Sequence, residues 1–143
     1  MKLSARSRYA ARLLLELARA RGQGPVSASL LAANTGVSVQ FIEQILRPLR
    51  KAGFIRSLRG AAGGHLLRLD PAAITLGDVV RTLEGPVALA RCCAKDDACG
   101  RADDCRTRVA WARISQALER EMDAITLAGL VEPDRLQSPY PEA

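Results

Sequence analysis

The sequence predicts a mainly α fold, a winged helix-turn-helix followed by one long helix. Three observations predict it. Aromatic residues make up 3% of a chain that is 48% hydrophobic, so the core must be built from Leu, Ile, Val and Ala, which suit packed helices. Apolar residues recur at three- and four-residue spacing through most of the chain. The one stretch with strand character, residues 54–69, is split by the glycine-rich run GAAGG. At 143 residues the chain can bury one core, or a small domain plus an appendage that needs a partner.

Taken in order, residues 4–21 place Tyr9, Ala10, Leu13, Leu14 and Leu17 on one stripe with Arg8, Arg12, Arg19 and Arg21 off it, an amphipathic helix. After the loop GQGP, Ser27 caps a short apolar helix that stops at Thr35 and Gly36. Ser38 caps the next, in which Ile42, Ile45, Leu46 and Leu49 face inward, and Pro48 is expected to kink it or end it early. Two short helices joined by a glycine turn form a helix-turn-helix. The segment FIRSLRGAAGGHLLRLDP then reads as a β-hairpin, the wing. Ile74, Val79, Val80 and Leu83 define a short helix. Trp111, Ile114, Leu118, Met122 and Ile125 form a long stripe over about eighteen residues from Val109, best explained by a two-fold dimer with the same helix of a second copy rather than by packing on the first helix. The expected organisation is a DNA-binding domain in 1–86, a cysteine-rich loop in 87–108, a dimerisation helix in 109–131 and a flexible tail in 132–143.

Charge points to a partner. Residues 1–70 carry twelve Lys and Arg against three Asp and Glu, whereas residues 71–143 carry nine against twelve. A basic half suits a polyanion, and nucleic acid is the commonest one. With the apolar residues of the second capped helix turned inward, its other face presents Gln40, Glu43, Gln44, Arg47 and Lys51. Amides and arginine reach base edges, a carboxylate accepts from cytosine, and the cations bind phosphate; the competing reading is a solvated helix face. Arg59 at the wing tip is placed to enter a minor groove. His65, the single histidine, opens the return strand and is expected at the DNA backbone or simply exposed; without a second histidine, nothing supports a histidine-based hydrolase, and no enzyme is expected. No window approaches eighteen uninterrupted apolar residues, and the N-terminal apolar run is interrupted by arginines, so no membrane partner is expected and the protein is placed in the cytoplasm.

All four cysteines fall between Cys92 and Cys105. In a reducing compartment such a cluster means metal or redox chemistry more often than structural disulfides. Three thiolates on a loop can wrap an iron-sulfur cluster or zinc, though the tight two-residue knuckle of many zinc sites is missing; a thiol switch is the further alternative. If the chain is extended at Cys92 and Cys93, their sulfurs point to opposite sides.

Across residues 1 to about 131 the sequence resembles the IscR/NsrR-type (Rrf-two) winged-helix transcription regulators of bacteria. The stretches that carry the likeness are MKLSARSRYA, VSVQFIEQILRPLRKAGFI, RSLRGAAGGHLL, ITLGDVVRTLEGP, and the cysteines ahead of a Trp-containing helix. The resemblance implies a homodimer, in most cases a repressor, that binds a palindromic double-stranded operator, and whose DNA binding responds to an iron-sulfur cluster, here a two-iron (2Fe-2S) ahead of a four-iron (4Fe-4S) one. It places groove-reading positions on Ser38, Gln40, Phe41 and Glu43, with Arg59 in the wing. It places cluster ligands on Cys93, Cys99 and Cys105, separated by five residues each, with Cys92 as an extra neighbour and a candidate ligand. The chain departs from the pattern at Arg108, where IscR-like members often have a histidine ligand, and at Arg8, in the region where NsrR-like members supply an aspartate. Cys92, Asp97, Asp103, Asp104, Glu16 or a small external thiol are the remaining candidates for the fourth ligand. From the residues alone, a small electron carrier or thiol oxidoreductase is the reading from another class; it would have no use for a basic wing.

Overall fold

The structure, a computed structural model, describes residues 2–94 and 99–132. It contains six α-helices and one hairpin: α1 (Ala5–Arg19), α2 (Ala28–Thr35), α3 (Val39–Lys51), β1 (Ile55–Leu58), β2 (Gly64–Leu67), α4 (Leu76–Glu84), α5 (Arg106–Ala124) and α6 (Leu127–Val131).

The helix starts follow the cap residues. Ser4, Ser27 and Ser38 each accept a hydrogen bond from the backbone N–H three residues on, satisfying one of the free donors of the first turn. Thr75 and Asp78 form a reciprocal capping box at α4. Between α2 and α3, Gly36 takes the left-handed conformation at φ 70°, and its N–H bonds the Ala32 carbonyl at 2.9 Å. Pro48 does not end α3 early, which removes one of the two outcomes expected from sequence. The helix continues to Lys51 because Ile45, Leu46 and Leu49 on either side of the proline are fully buried, and their packing offsets the one backbone bond that proline cannot make.

The main core joins Ala10, Leu13, Leu14 and Leu17 of α1 to Leu31 of α2, to Ile42, Ile45, Leu46 and Leu49 of α3, and to Ile55, Ile74 and Val79. Leu127 of α6 completes it, fully buried. The helix therefore stops before Ile125, which is extended, and the chain turns back: the Leu76 N–H donates to the Ile125 carbonyl and the Leu127 N–H to that of Ile74, both at 2.9 Å. The wing is an antiparallel pair with Ile55 opposite Leu67 and Ser57 opposite His65. Its outer edge is tied to the segment before α2 by two backbone bonds between His65 and Val26.

A second, smaller cluster packs α5 on α4 through Val80, Val87 and Met122, with Leu76 and Leu118 against them. Arg81 clamps the same two helices. Its guanidinium donates to Asp78 at 2.9 Å, Glu119 at 3.0 Å and Asp123 at 2.7 Å, which raises its pKa further above the ordinary arginine value. Gly77 makes the approach possible, since a Cβ there would run into the Asp123 carboxylate. The long stripe read from sequence is thus divided. Met122 is buried against α4 while Trp111 and Ile114 remain about half exposed, at 46% and 48%.

Candidate nucleic-acid interface and cysteine loop

The amphipathic pattern of α3 sorts its residues cleanly. Ser38, Gln40, Glu43, Gln44, Arg47 and Lys51 are exposed on the face opposite the core. The Ser38 hydroxyl oxygen is engaged as the cap of the Phe41 N–H, at 3.2 Å, leaving its proton to donate outward. Phe41 behaves differently: half-buried, it packs edge-on against Tyr9 at 5.6 Å and takes part in holding α3 on α1. Tyr9 in turn carries the Arg12 guanidinium over its ring at 5.5 Å. Arg59 is exposed just beyond β1, where the turn closes through a bond from the Gly63 N–H to the Gly60 carbonyl.

His65 corrects the sequence reading. It is 7% exposed, with its ring turned under the hairpin, so its side chain is not available to the DNA backbone as expected. Burial lowers its pKa, the Glu43 carboxylate opposes this, and Arg50 adds to it. The strand position that it opens in the sequence gave no hint of burial, because the covering residues come from α3 and from the loop before α2. Arg50, which the apolar spacing of α3 does not single out, donates to the Ser57 hydroxyl of β1 at 3.3 Å; its place three residues after Arg47 was the signal in the sequence.

The cysteine loop joins α4 to α5. Cys92, Cys93, Cys99 and Cys105 are free and half-buried; Asp97 lies outside the described residues. Cys92 and Cys93 do not sit in extended chain but in a single three-ten turn, Arg91–Cys93, so the expected opposition of their sulfurs does not hold. Partial burial and the neighbouring Cys93 and Cys99 thiols push the Cys92 thiol up in pKa. Cys105 goes the other way: a hydrogen bond with the Thr107 hydroxyl at 3.2 Å, and the backbone of Arg108, pull it below the ordinary thiol value. The Cys93 sulfur lies 3.7 Å from the Arg108 carbonyl. Arg108 itself braces the loop, donating to the Cys92 carbonyl at 2.8 Å and the Ala102 carbonyl at 3.3 Å. Asp103 and Asp104 are exposed, and Glu16 is engaged by Asn34 and Arg19. Among the described residues no three His, Cys, Asp or Glu side chains converge as a metal site. The donor set nevertheless suits an iron-sulfur group chemically: four free, soft sulfur donors on one half-buried loop, with no disulfide among them. No helix among the described residues is long and apolar enough to cross a membrane.

Comparison with known proteins places this arrangement. The chain is 37% identical over 130 residues to the HTH-type transcriptional regulator CymR of Bacillus subtilis, covering 91% of this chain and 89% of that protein. It is 35% identical over 131 residues to the HTH-type transcriptional regulator IscR of Yersinia enterocolitica, covering 92% and 79%. Among solved structures, that of CymR, described as the global cysteine regulator of B. subtilis, superposes with a TM-score of 0.77 at 37% identity, covering 92% of this chain and 96% of that one. The structure of T. potens IscR superposes with a TM-score of 0.74 at 33% identity, covering 98% and 95%. These relatives are named as regulators of transcription and none as an enzyme. The family model described as "Rrf2: Iron-dependent Transcriptional regulator" matches residues 3–133, and the chain therefore belongs to the Rrf2 family of transcriptional regulators.

Proposed function

We propose that the protein is a cytoplasmic homodimer that represses transcription by binding a palindromic operator, its affinity set by an iron-sulfur cluster, two-iron ahead of four-iron, held by Cys93, Cys99 and Cys105. The observation that carries the DNA half is the sorting of α3: a fully buried apolar face fixes the helix, and Gln40, Glu43, Gln44, Arg47 and Lys51 all stand outward, with Arg59 of the wing also exposed. In this reading α3 enters the major groove, the amides, Glu43 and Arg47 read base edges, and Lys51 and Arg59 add phosphate and minor-groove contacts. The exposed Trp111 and Ile114 on α5 favour pairing with the same helix of a second copy, which sets the spacing of two recognition helices.

When bound, the cluster would supply a response to iron supply, oxidants or nitric oxide. The chain's own part is to couple the loop to DNA. The loop runs directly into α5, and α5 is fixed to α4 by Arg81, so a change in the loop's order is transmitted to the helix that spaces the subunits. Arg108 cannot serve as a ligand, being permanently charged, and it holds the loop by its carbonyls instead. A second reading rests on Cys92. Its thiol shares its surroundings with Cys93 and Cys99, an arrangement suited to reversible disulfide formation, and the likeness to a regulator described as a cysteine regulator supports it. The two readings separate on anaerobic purification followed by iron and sulfide analysis and gel shifts: the cluster reading expects bound iron and sulfide lost in Cys93→Ala, Cys99→Ala and Cys105→Ala, and the thiol reading expects metal-free protein whose DNA binding responds to oxidant and is restored by dithiothreitol.

A further inference from the structure

His65 is buried among groups that an apolar residue would have served less well. Its backbone bonds Val26 in both directions, at 2.8 and 2.9 Å, which any residue could do. Its ring is another matter. The Nδ1 atom lies 2.9 Å from the Ser57 hydroxyl, and that hydroxyl oxygen already accepts from the Arg50 guanidinium at 3.3 Å. The geometry permits Ser57 to donate its own proton to Nδ1 with the imidazole proton on Nε2, the tautomer that turns a donor toward α3. Nε2 points toward α3 and stands 3.9 Å from Oε1 of Glu43, an electrostatic contact rather than a hydrogen bond. Glu43 is 53% exposed on the outward face, so one carboxylate is shared between a buried imidazole and the surface proposed to meet DNA.

We propose that His65 is a positioning residue for sequence reading: its imidazole fixes where the Glu43 carboxylate stands on the recognition face, and its protonation draws that carboxylate away from the base edge. The proposal rests on the reading that α3 enters the groove. A neutral imidazole leaves the Glu43 oxygens free to accept from a cytosine amino group while biasing their place through the Nε2–H. An imidazolium would compete for the same carboxylate with full charge. The charged and polar groups facing the ring are Glu43 and Arg50 from α3 and Ser57 from β1, together with the backbone of Val26. Burial, with Arg50 adding to it, lowers the ring's pKa against the pull of Glu43, so the imidazolium forms on the acid side of the ordinary histidine value.

The test selects preferred sites from a randomised palindromic duplex library with the full-length, reduced protein, at about pH 7.5 and about pH 5.5. Wild type, Glu43→Ala, His65→Gln and His65→Phe are compared, with thermal melting as the check on folding. Wild type should prefer one base pair of each half-site that Glu43→Ala no longer selects, by about ten-fold. That preference should fall several-fold at the acid pH in wild type. His65→Gln, which keeps a partner for Ser57 but cannot take the charge, should lose the acid dependence, and His65→Phe should broaden the preference at both pH values. If Glu43→Ala changes the preference while His65→Gln keeps the wild-type acid dependence, this inference falls alone. If Glu43→Ala leaves the selected sequence unchanged, the placement of α3 in the groove falls with it. Should neither His65 variant fold, the wild-type profile decides, because a preference at the Glu43 pair that is independent of pH overturns the proposal.

Discussion

Replacing Ile114 by Ala tests the role given to the outward face of α5. Ile114 is 48% exposed in the single chain, so about half of its side chain remains to be covered by a partner. Full burial of an isoleucine is worth about 1.5 to 3 kcal/mol, and the uncovered half therefore about 1 kcal/mol. A two-fold interface uses the residue twice, giving about 2 kcal/mol and a rise of roughly thirty-fold in the dimer dissociation constant. Sedimentation velocity over a dilution series measures it. Met122 supplies the contrast. At 8% exposure against Val80 and Val87 it belongs to the chain's own second core, so Met122→Ala should cost about 2 to 4 kcal/mol of folding stability through the cavity it leaves, seen as a lower melting temperature at fixed concentration. An Ile114→Ala protein whose dimer constant matches wild type, with an unchanged melting temperature, would refute the assignment of this face to the dimer.

Gly77→Ala places a Cβ against the Asp123 carboxylate and 3.0 Å from the Arg81 guanidinium, so it should loosen the α4 to α5 clamp and lower the melting temperature while leaving the α1 to α3 core intact by hydrogen exchange. Arg59→Ala should weaken operator binding by about 1 to 3 kcal/mol at particular bases, read in gel shifts against operator variants. Stability itself should depend on pH through His65. Its folded pKa lies below the ordinary 6.5, so as pH falls the unfolded chain takes up the proton first; the contribution is fully present above about 6.5 and is lost as pH falls from there toward the folded value. Urea unfolding between pH 7 and pH 5 should show this slope in wild type and its absence in His65→Gln.

Much of this fold was legible because its determinants are local. Serine caps, three- and four-residue stripes and a glycine break fix α1, α3 and the wing, and the outward residues of α3 follow from the inward ones by geometry alone. What was not legible depends on the company a residue keeps in space. The stripe on α5 announces an amphipathic helix without saying which of its residues meet α4 and which stay open; Gly77 and Arg81, forty residues away, decide that. His65 gave no sign of burial for the same reason, since Glu43 and Arg50 reach it from α3 and Val26 from the segment before α2. The early end expected at Pro48 does not occur, because propensity takes no account of the packing of Leu46 and Leu49 that opposes it. The loop geometry at Cys92 depends on a three-ten turn that no spacing rule announces.

The central claim is that chemistry at the cysteine loop sets operator affinity, and one measurement meets it directly. The protein is purified and reconstituted with iron and sulfide under anaerobic conditions, and binding to a selected operator is titrated for the reconstituted and metal-free forms of wild type and of Cys99→Ala. We expect wild type to carry iron and sulfide and its two forms to differ at least ten-fold in affinity, about 1.4 kcal/mol. The Cys99→Ala protein should hold no cluster and bind as the metal-free wild type does. Equal affinity of the two wild-type forms, or a wild type that takes up no iron and sulfide at all, would contradict the account.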